Sequence, residues 1–141
     1  MQTTRQHALN VIEADRLSFM MSMFDADFIL AELHIHGLAQ MMLPECDRLA
    51  WHYILLPEGG GYMMPDSGKV NLINSENFFD RTVSADAAGI IMTSLTINQR
   101  CAILHDYGHT ALTRLYLQRD AQLWKYITGH AERNAIFAAL D

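Results

Sequence analysis

Residues 84–104 read SADAAGIIMTSLTINQRCAIL, and this stretch has the pattern of a buried helix. Ser84 suits the N-cap, where its hydroxyl can accept a hydrogen bond from a first-turn amide, and Asp86 places a carboxylate where the helix dipole favours one. Apolar residues then occupy almost every face, whereas a surface helix needs only one apolar stripe. Ala88 and Gly89 would let another element approach closely. We therefore expect the other elements to pack around this helix.

The length and composition predict one globular domain. The chain has 141 residues, enough to bury a core without metal or disulfide support, and 50% of them are hydrophobic. Sixteen acidic residues against ten basic ones give a net charge of −6, which disfavours strong non-specific binding to nucleic acid or to anionic membranes.

Cysteine usage and hydropathy bear on where the protein works. Cys46 and Cys101 are far apart in sequence and are too few for a secreted disulfide scaffold, so we expect buried free thiols. The N-terminus lacks an apolar signal segment, and no stretch approaches the ~20 apolar residues of a membrane helix. We expect a cytoplasmic protein with no membrane contact.

The remaining sequence predicts an α+β domain over residues 16–141, preceded by a flexible N-terminal arm over residues 1–15. It should contain a small antiparallel sheet of three or four strands packed with about four helices. The expected elements are a helix from Asp25 or Asp27 to Met42 stopped by Pro44, a hairpin over 49–65, strands at 70–73 and 78–83, and helices at 84–104, from about 110, and at 131–140.

Two segments resemble binding motifs. His105-Asp106-x-x-His109 is similar to the H-E-x-x-H pattern, in which two histidines one helical turn apart bind zinc and the carboxylate activates water. Asp is shorter than Glu, Gly108 weakens the helix, and no third ligand is evident, so we expect no metal. Gly59-Gly60-Gly61 lacks the Lys-Ser/Thr of a phosphate loop and precedes a strand, which favours a turn. No cofactor is expected.

Four ordered blocks carry a resemblance to a known family. They are RLSF at 16–19, WHYILLPEGGGYMMP at 51–65, SADAAGI at 84–90 and HAERNAIFAALD at 130–141. In this order and spacing the chain resembles the ArdB/KlcA family of antirestriction proteins, carried by plasmids, phages and genomic islands. Glu58 stands where the family usually has Asn, and Ala131 stands where it usually has Pro. The candidate motif positions are Arg16, Phe19, Trp51, Gly59, Gly60, Tyr62, Pro65, Asp86, Gly89, His130, Glu132 and Asp141.

The resemblance implies a small α+β protein that relieves type I restriction of incoming unmodified DNA. It brings no catalytic residue and no cofactor, so we expect a protein that is not an enzyme. The implied partner is the type I restriction-modification system, reached directly or indirectly.

The route and the rival functions follow from the residues. The acidic residues are too scattered to imitate DNA phosphates spaced at roughly one charge per 1.7 Å, which favours an indirect or protein-directed route without direct DNA binding. Two alternatives stay open: a small metal-dependent hydrolase using His105, Asp106 and His109, and an interaction module of unknown partner.

Overall fold

The computed structural model describes residues 8–11, 13–46 and 48–141 of the chain. Its helices are α1 (Arg16–Phe24), α2 (Phe28–Met42), α3 (Ala85–Asp106), α4 (Thr110–Thr128) and α5 (Arg133–Leu140). Its strands are β1 (Leu9–Val11), β2 (Trp51–Leu55), β3 (Gly61–Pro65), β4 (Val70–Asn74) and β5 (Phe79–Val83). The predicted α+β class is confirmed. The helix α1 was not among the predicted elements.

The strands form two antiparallel sheets, where the sequence predicted one. The larger has the order β1-β2-β3, and the smaller pairs β4 with β5. The outer edge of β3 is not open to β4 because α3 packs along it, and the Met63 amide donates to Thr93 Oγ1 at 3.1 Å. A side chain on a helix thus takes the place of a further strand.

The first strand lies within the expected N-terminal arm. Leu9–Val11 pairs with β2 in the register Leu9 with Leu55 and Val11 with Tyr53. Residues 9–11 are therefore part of the larger sheet, because their backbone groups complete the free edge of β2, and the flexibility of the arm stays a prediction. Residues 1–7 and 12 lie outside the described residues.

The central helix α3 begins as predicted, with Ser84 at the N-cap and its Oγ accepting a hydrogen bond from the Ala87 amide at 3.0 Å. It contacts α2, α4, α5 and β3, and Ile90, Ile91 and Met92 are completely buried. Most of its first three turns are buried on every side, which is why no single apolar stripe is visible in the sequence.

Gly89 sets the distance between α3 and β3. A Cβ at this position would lie 2.2 Å from the Met63 carbonyl oxygen and 2.7 Å from Met64 Cα. Both neighbours are backbone atoms, which cannot move aside as a flexible side chain could. Only glycine therefore fits where the helix crosses the strand.

The C-terminal helices close the core. α4 begins at Thr110 as predicted, and α5 begins at Arg133, two residues after the predicted start. Its last turn is held by the β4–β5 hairpin, since Asn77 Nδ2 donates to the carbonyls of Ala139 at 2.9 Å and Asp141 at 3.0 Å. Within the described residues, no helix is both long and apolar enough to cross a bilayer.

We expect Gly89→Ala to lower the free energy of unfolding by roughly 3 kcal/mol, because the added methyl group must push α3 away from the backbone of β3. Urea denaturation followed by circular dichroism measures the change. Gly68→Ala is the matched control, since Gly68 has open space around a Cβ. Equal stability of the two variants would show that the contact between α3 and β3 is not tight.

Candidate functional site

Three of the four motif blocks meet on one side of the molecule. The β2–β3 turn carries Gly59 and Gly60, the start of α3 carries Asp86, and the loop between α4 and α5 carries His130 and Glu132. Hydrogen bonds join the start of α3 to the α4–α5 loop. A groove lies between the β2–β3 turn and the α4–α5 loop.

A hydrogen-bonded triad lies at the base of this region. The Tyr62 hydroxyl donates to Asp86 Oδ1, and His130 Nε2 lies 2.7 Å from Asp86 Oδ2. The other ring nitrogen, His130 Nδ1, accepts from the Glu132 amide at 2.9 Å. Because Nδ1 is an acceptor, the ring proton is on Nε2, which donates to Asp86. Both imidazole nitrogens are therefore occupied within the protein.

Burial and hydrogen bonding act on the pKa values of this triad. Burial alone would raise the pKa of the Asp86 carboxyl, but the hydrogen bonds from His130 and Tyr62 outweigh burial and hold the pKa below its ordinary value. The pKa of Tyr62 is strongly raised, first by burial and then by its hydrogen bond to Asp86. The triad consequently holds an ionised carboxylate and a protonated phenol at neutral pH.

Glu132 ties the last block to the start of α3. One carboxylate oxygen accepts from the Ser84 amide at 3.0 Å, and the other accepts from the Ser84 hydroxyl. Ser84 Oγ accepts in turn from the Ala87 amide. Glu132 thus orients the N-cap of α3, and its negative charge is favourable beside the helix N-terminus.

A groove of about 630 Å³ opens beside the triad, and we call it the motif groove. It is lined by Leu56, Pro57, Glu58, Gly59, Ala121, Gln122, Lys125, Tyr126, Gly129, His130 and Ala131. Most of these side chains are small or apolar, and Lys125 Nζ pairs with Glu58 Oε1 at 2.7 Å. An apolar cleft with a few polar groups is typical of a binding site.

Gly59 and Gly60 form a turn that packs against α4, and they do not form a phosphate loop. Gly59 and Gly60 have φ angles of 107° and 74°, which favour glycine. A Cβ at Gly59 would lie 2.6 Å from Gln122 Nε2, and one at Gly60 would lie 2.5 Å from Gln122 Oε1. The turn leads directly into β3, so the sequence prediction of a turn is confirmed.

The first motif block lies away from the groove and serves packing. Arg16 Nη2 contacts both Glu32 oxygens at 2.5 and 2.6 Å, and Arg16 Nε donates to Tyr53 Oη at 3.1 Å. The Phe19 ring packs on Tyr53 with 5.5 Å between centroids. A Cβ on Gly61 would come within 2.8 Å of Phe19. The contacts with Tyr53 and Gly61 dock α1 on the larger sheet, and the Arg16–Glu32 pair joins α1 to α2.

The remaining motif positions are also dispersed. Trp51 stacks on His36 with 5.5 Å between centroids and pairs in register with the buried Pro65. Asp141 contributes its backbone carbonyl to the contact with Asn77 at the far end of α5. The twelve candidate positions thus separate into a set around the motif groove and a set that holds the helices and sheets together.

The HDYGH segment does not have the geometry of the H-E-x-x-H arrangement. α3 ends at Asp106, Gly108 turns the chain with a φ of 76°, and His109 precedes α4. His105 and His109 therefore do not share a helix, as the H-E-x-x-H arrangement requires. Among the described residues, no group of three or more His, Cys, Asp or Glu side chains could hold a metal ion. No finding supports the hydrolase alternative.

A second polar cluster, which the sequence did not indicate, joins the segment between α1 and α2 to α3 and α4. Asp27 is buried, accepts from Arg100 Nε at 3.0 Å and Nη2 at 2.5 Å, and accepts from the Tyr116 hydroxyl at 2.5 Å. Burial and then this hydrogen bond raise the pKa of Tyr116. Arg100 and Tyr116 lie 73 and 89 residues from Asp27 in the sequence, so no local sequence pattern predicts the cluster.

We expect Asp86→Asn to destabilise the protein at neutral pH and the difference from wild type to shrink in acid. The folded-state pKa of Asp86 lies below the unfolded value of about 3.9, so the stabilisation is present above that value and is lost as the pH falls through the folded-state pKa. Melting temperatures from about pH 7 to about pH 3 measure this. Glu76→Gln, at an exposed position, is the control. A difference that stayed constant with pH would contradict the ionised triad.

Comparison with known proteins places this arrangement in a family. A sequence model described as "Antirestriction protein" matches residues 44–141. "Putative antirestriction protein YubI" of Escherichia coli (strain K12) is 57% identical over 141 residues and covers all of both chains. "Antirestriction protein KlcA" of Escherichia coli is 33% identical over 138 residues, which are 95% of this chain and 92% of that protein.

A solved structure has the same fold. It superposes with a TM-score of 0.82 at 32% identity over all of both chains, and it is described with the words "The structure of the KlcA and ArdB proteins show a novel fold and antirestriction activity against Type I DNA restriction systems in vivo but not in vitro". The resemblance carried by the four motif blocks is confirmed, and the chain belongs to the antirestriction protein family.

Proposed function

We propose that this protein relieves type I restriction of incoming unmodified DNA in the cytoplasm, by a protein-directed or indirect route, without imitating DNA and without catalysis. Family membership supports the antirestriction role. The solved structure that it resembles is described as active in vivo but not in vitro, and this contrast supports an indirect route for this chain as well.

The main support for a route without DNA mimicry is that several carboxylates are paired within the chain. Asp27 pairs with Arg100, Glu32 with Arg16, Glu58 with Lys125 and Asp86 with His130, and Glu132 caps α3. A DNA mimic needs exposed carboxylates in rows at the spacing of phosphates. Carboxylates that are held by partners within the chain are less available for that purpose, so the count of sixteen acidic residues overstates the negative surface that could imitate DNA.

The side chains near the groove also argue against catalysis. Both nitrogens of His130 are engaged, so the ring has no free acceptor for a substrate proton. The Ser84 hydroxyl is held by Glu132 and Ala87, and the raised pKa of Tyr62 keeps its phenol protonated. Cys101 does not line the groove, and its pKa is raised by burial and by Asp120, which disfavours the nucleophilic thiolate.

We assign the partner contact to the motif groove. Its apolar lining suits the insertion of one apolar side chain of a protein partner, and the Glu58–Lys125 pair would add polar contacts. The groove lies beside the triad, which connects three elements rigidly. A contact surface that is already held rigidly loses little conformational entropy when a partner binds.

We expect expression of this protein in a host with a type I system to raise the recovery of unmodified phage, and to have little effect in a host with a simple type II endonuclease. Plating efficiency measures both. The combined variant Asp25→Asn, Glu45→Gln and Glu76→Gln neutralises exposed carboxylates and should keep full activity. Loss of protection in this variant with an intact fold would favour mimicry, and no relief of any type I host would reject the proposed function.

We expect Ala121→Arg to reduce restriction relief by about tenfold or more, the effect of losing roughly 1.4 kcal/mol of binding, because the long side chain would fill the motif groove. Ala111→Arg is the matched control, since Ala111 is also an exposed alanine on α4 but does not line the groove. Phage plating at equal protein levels compares them. Full activity of the Ala121 variant would remove the groove from the mechanism.

A further inference from the structure

The outer face of α2 is apolar where a surface helix is normally polar. Its outward stripe consists of Ile29, Leu30, Leu33, Gly37, Gln40 and Met41, which we call the α2 stripe. The exposed fractions of its four large apolar residues lie between 54% and 69%. None of the six positions, all of which the structure describes, carries a charge. The opposite face of α2 is already buried in the core, so this stripe has no partner among the residues that the structure describes.

Gly37 gives a second and independent observation. It lies in the middle of α2, where glycine costs helix stability relative to alanine. A Cβ at this position would meet nothing within 4 Å, and its φ is not in the left-handed region. Packing against the described part of the chain therefore does not explain the glycine, in contrast to Gly89. Close approach of a second helix from outside would explain it.

We propose that the α2 stripe is the interface of a homodimer in which two α2 helices cross at Gly37 in antiparallel orientation. Ile29, Leu33, Gly37 and Met41 follow at four-residue intervals and form one ridge of the helix. A two-fold axis at Gly37 places Leu33 of one copy against Met41 of the other, and the same contact is made twice. The stripe is thus self-complementary, as an isologous interface requires.

Charge and area favour a second copy as the occupant. Each chain carries a net charge of −6, yet the stripe brings no charged group into the contact, so two copies can meet there without burying like charges. The exposed apolar area is on the order of 400 Å², the size at which a patch marks an interface. With the surrounding surface it approaches the ~800 Å² per protomer of a standard interface.

The test is the association state of the full chain, measured by sedimentation equilibrium over a wide range of protein concentration. We expect a concentration-dependent dimer, and Leu33→Asp should raise its dissociation constant by about a hundredfold. The matched control is Leu117→Asp, since Leu117 is exposed to 57% and Leu33 to 61%, but Leu117 lies on α4 outside the stripe. A chain that stays monomeric at every concentration would overturn the proposal, whatever other partner the stripe then has.

Gly37→Ala separates the interface from an ordinary surface glycine. The added methyl group should raise the melting temperature of the monomer, because it improves helix propensity in open space. It should also raise the dimer dissociation constant about tenfold, because it separates the crossing helices. We do not expect Gly37→Ala to impair folding, so it can still test the dimer if Leu33→Asp fails to fold. An unchanged dimer would overturn the crossing at Gly37.

Disulfide cross-linking tests the antiparallel orientation of the two α2 helices. A variant with Leu33→Cys and Met41→Cys should form a covalent dimer under mild oxidation, because the two positions face each other across the two-fold axis. The same treatment of Leu117→Cys should leave the chain monomeric on a non-reducing gel. Absence of the covalent dimer in the double variant would contradict the antiparallel arrangement.

Discussion

The contact of α3 with the outer edge of β3 is the constraint on which the rest of the structure depends. Gly89 lets the two backbones approach, and Thr93 accepts the Met63 amide that would otherwise be unpaired at the sheet edge. A buried amide without a partner costs free energy, so the helix both covers the edge and satisfies it. This contact also explains why β4 pairs with β5 in a separate sheet and does not extend the first.

The start of α3 brings polar groups together beside this packed core. Asp86 and Ser84 lie in its cap and first turn, and the α4–α5 loop brings His130 and Glu132 to them. The same hydrogen bonds therefore hold the last helix pair against the core and shape one wall of the motif groove. The side chains that hold the fold together here are also the candidate site residues, which explains why the motif blocks alone do not indicate a mechanism.

The distribution of charge links the structure to its family role. Six of the polar pairs within the described residues use carboxylates as partners for Arg, Lys or His. Asp27 and Glu32 are largely buried in these pairs, whereas Glu58, Asp66 and Asp106 are mostly exposed, so only part of the acidic composition lies on the surface. For an antirestriction protein this distinction matters, since imitation of DNA requires the charges to be outside and regularly spaced.

Local features were predictable because neighbouring residues decide them. Ser84 caps α3, Pro44 follows the end of α2, and Gly59 and Gly60 form the turn before β3, each through a backbone preference that the residue carries wherever it stands. The α+β class and most element bounds followed from such signals, and the four ordered blocks were sufficient to identify the family.

The tertiary structure alone decided the long-range contacts. The pairing of β1 with β2, the division into two sheets, the Asp27–Arg100–Tyr116 cluster and the motif groove all join residues that are distant in sequence. Asp86 and His130 are 44 residues apart, and either side chain by itself is an ordinary polar residue. The sequence by itself determined where helices, strands and turns lie, because these depend on local backbone energetics, whereas only the packing of α3 against its neighbours decided which polar groups meet.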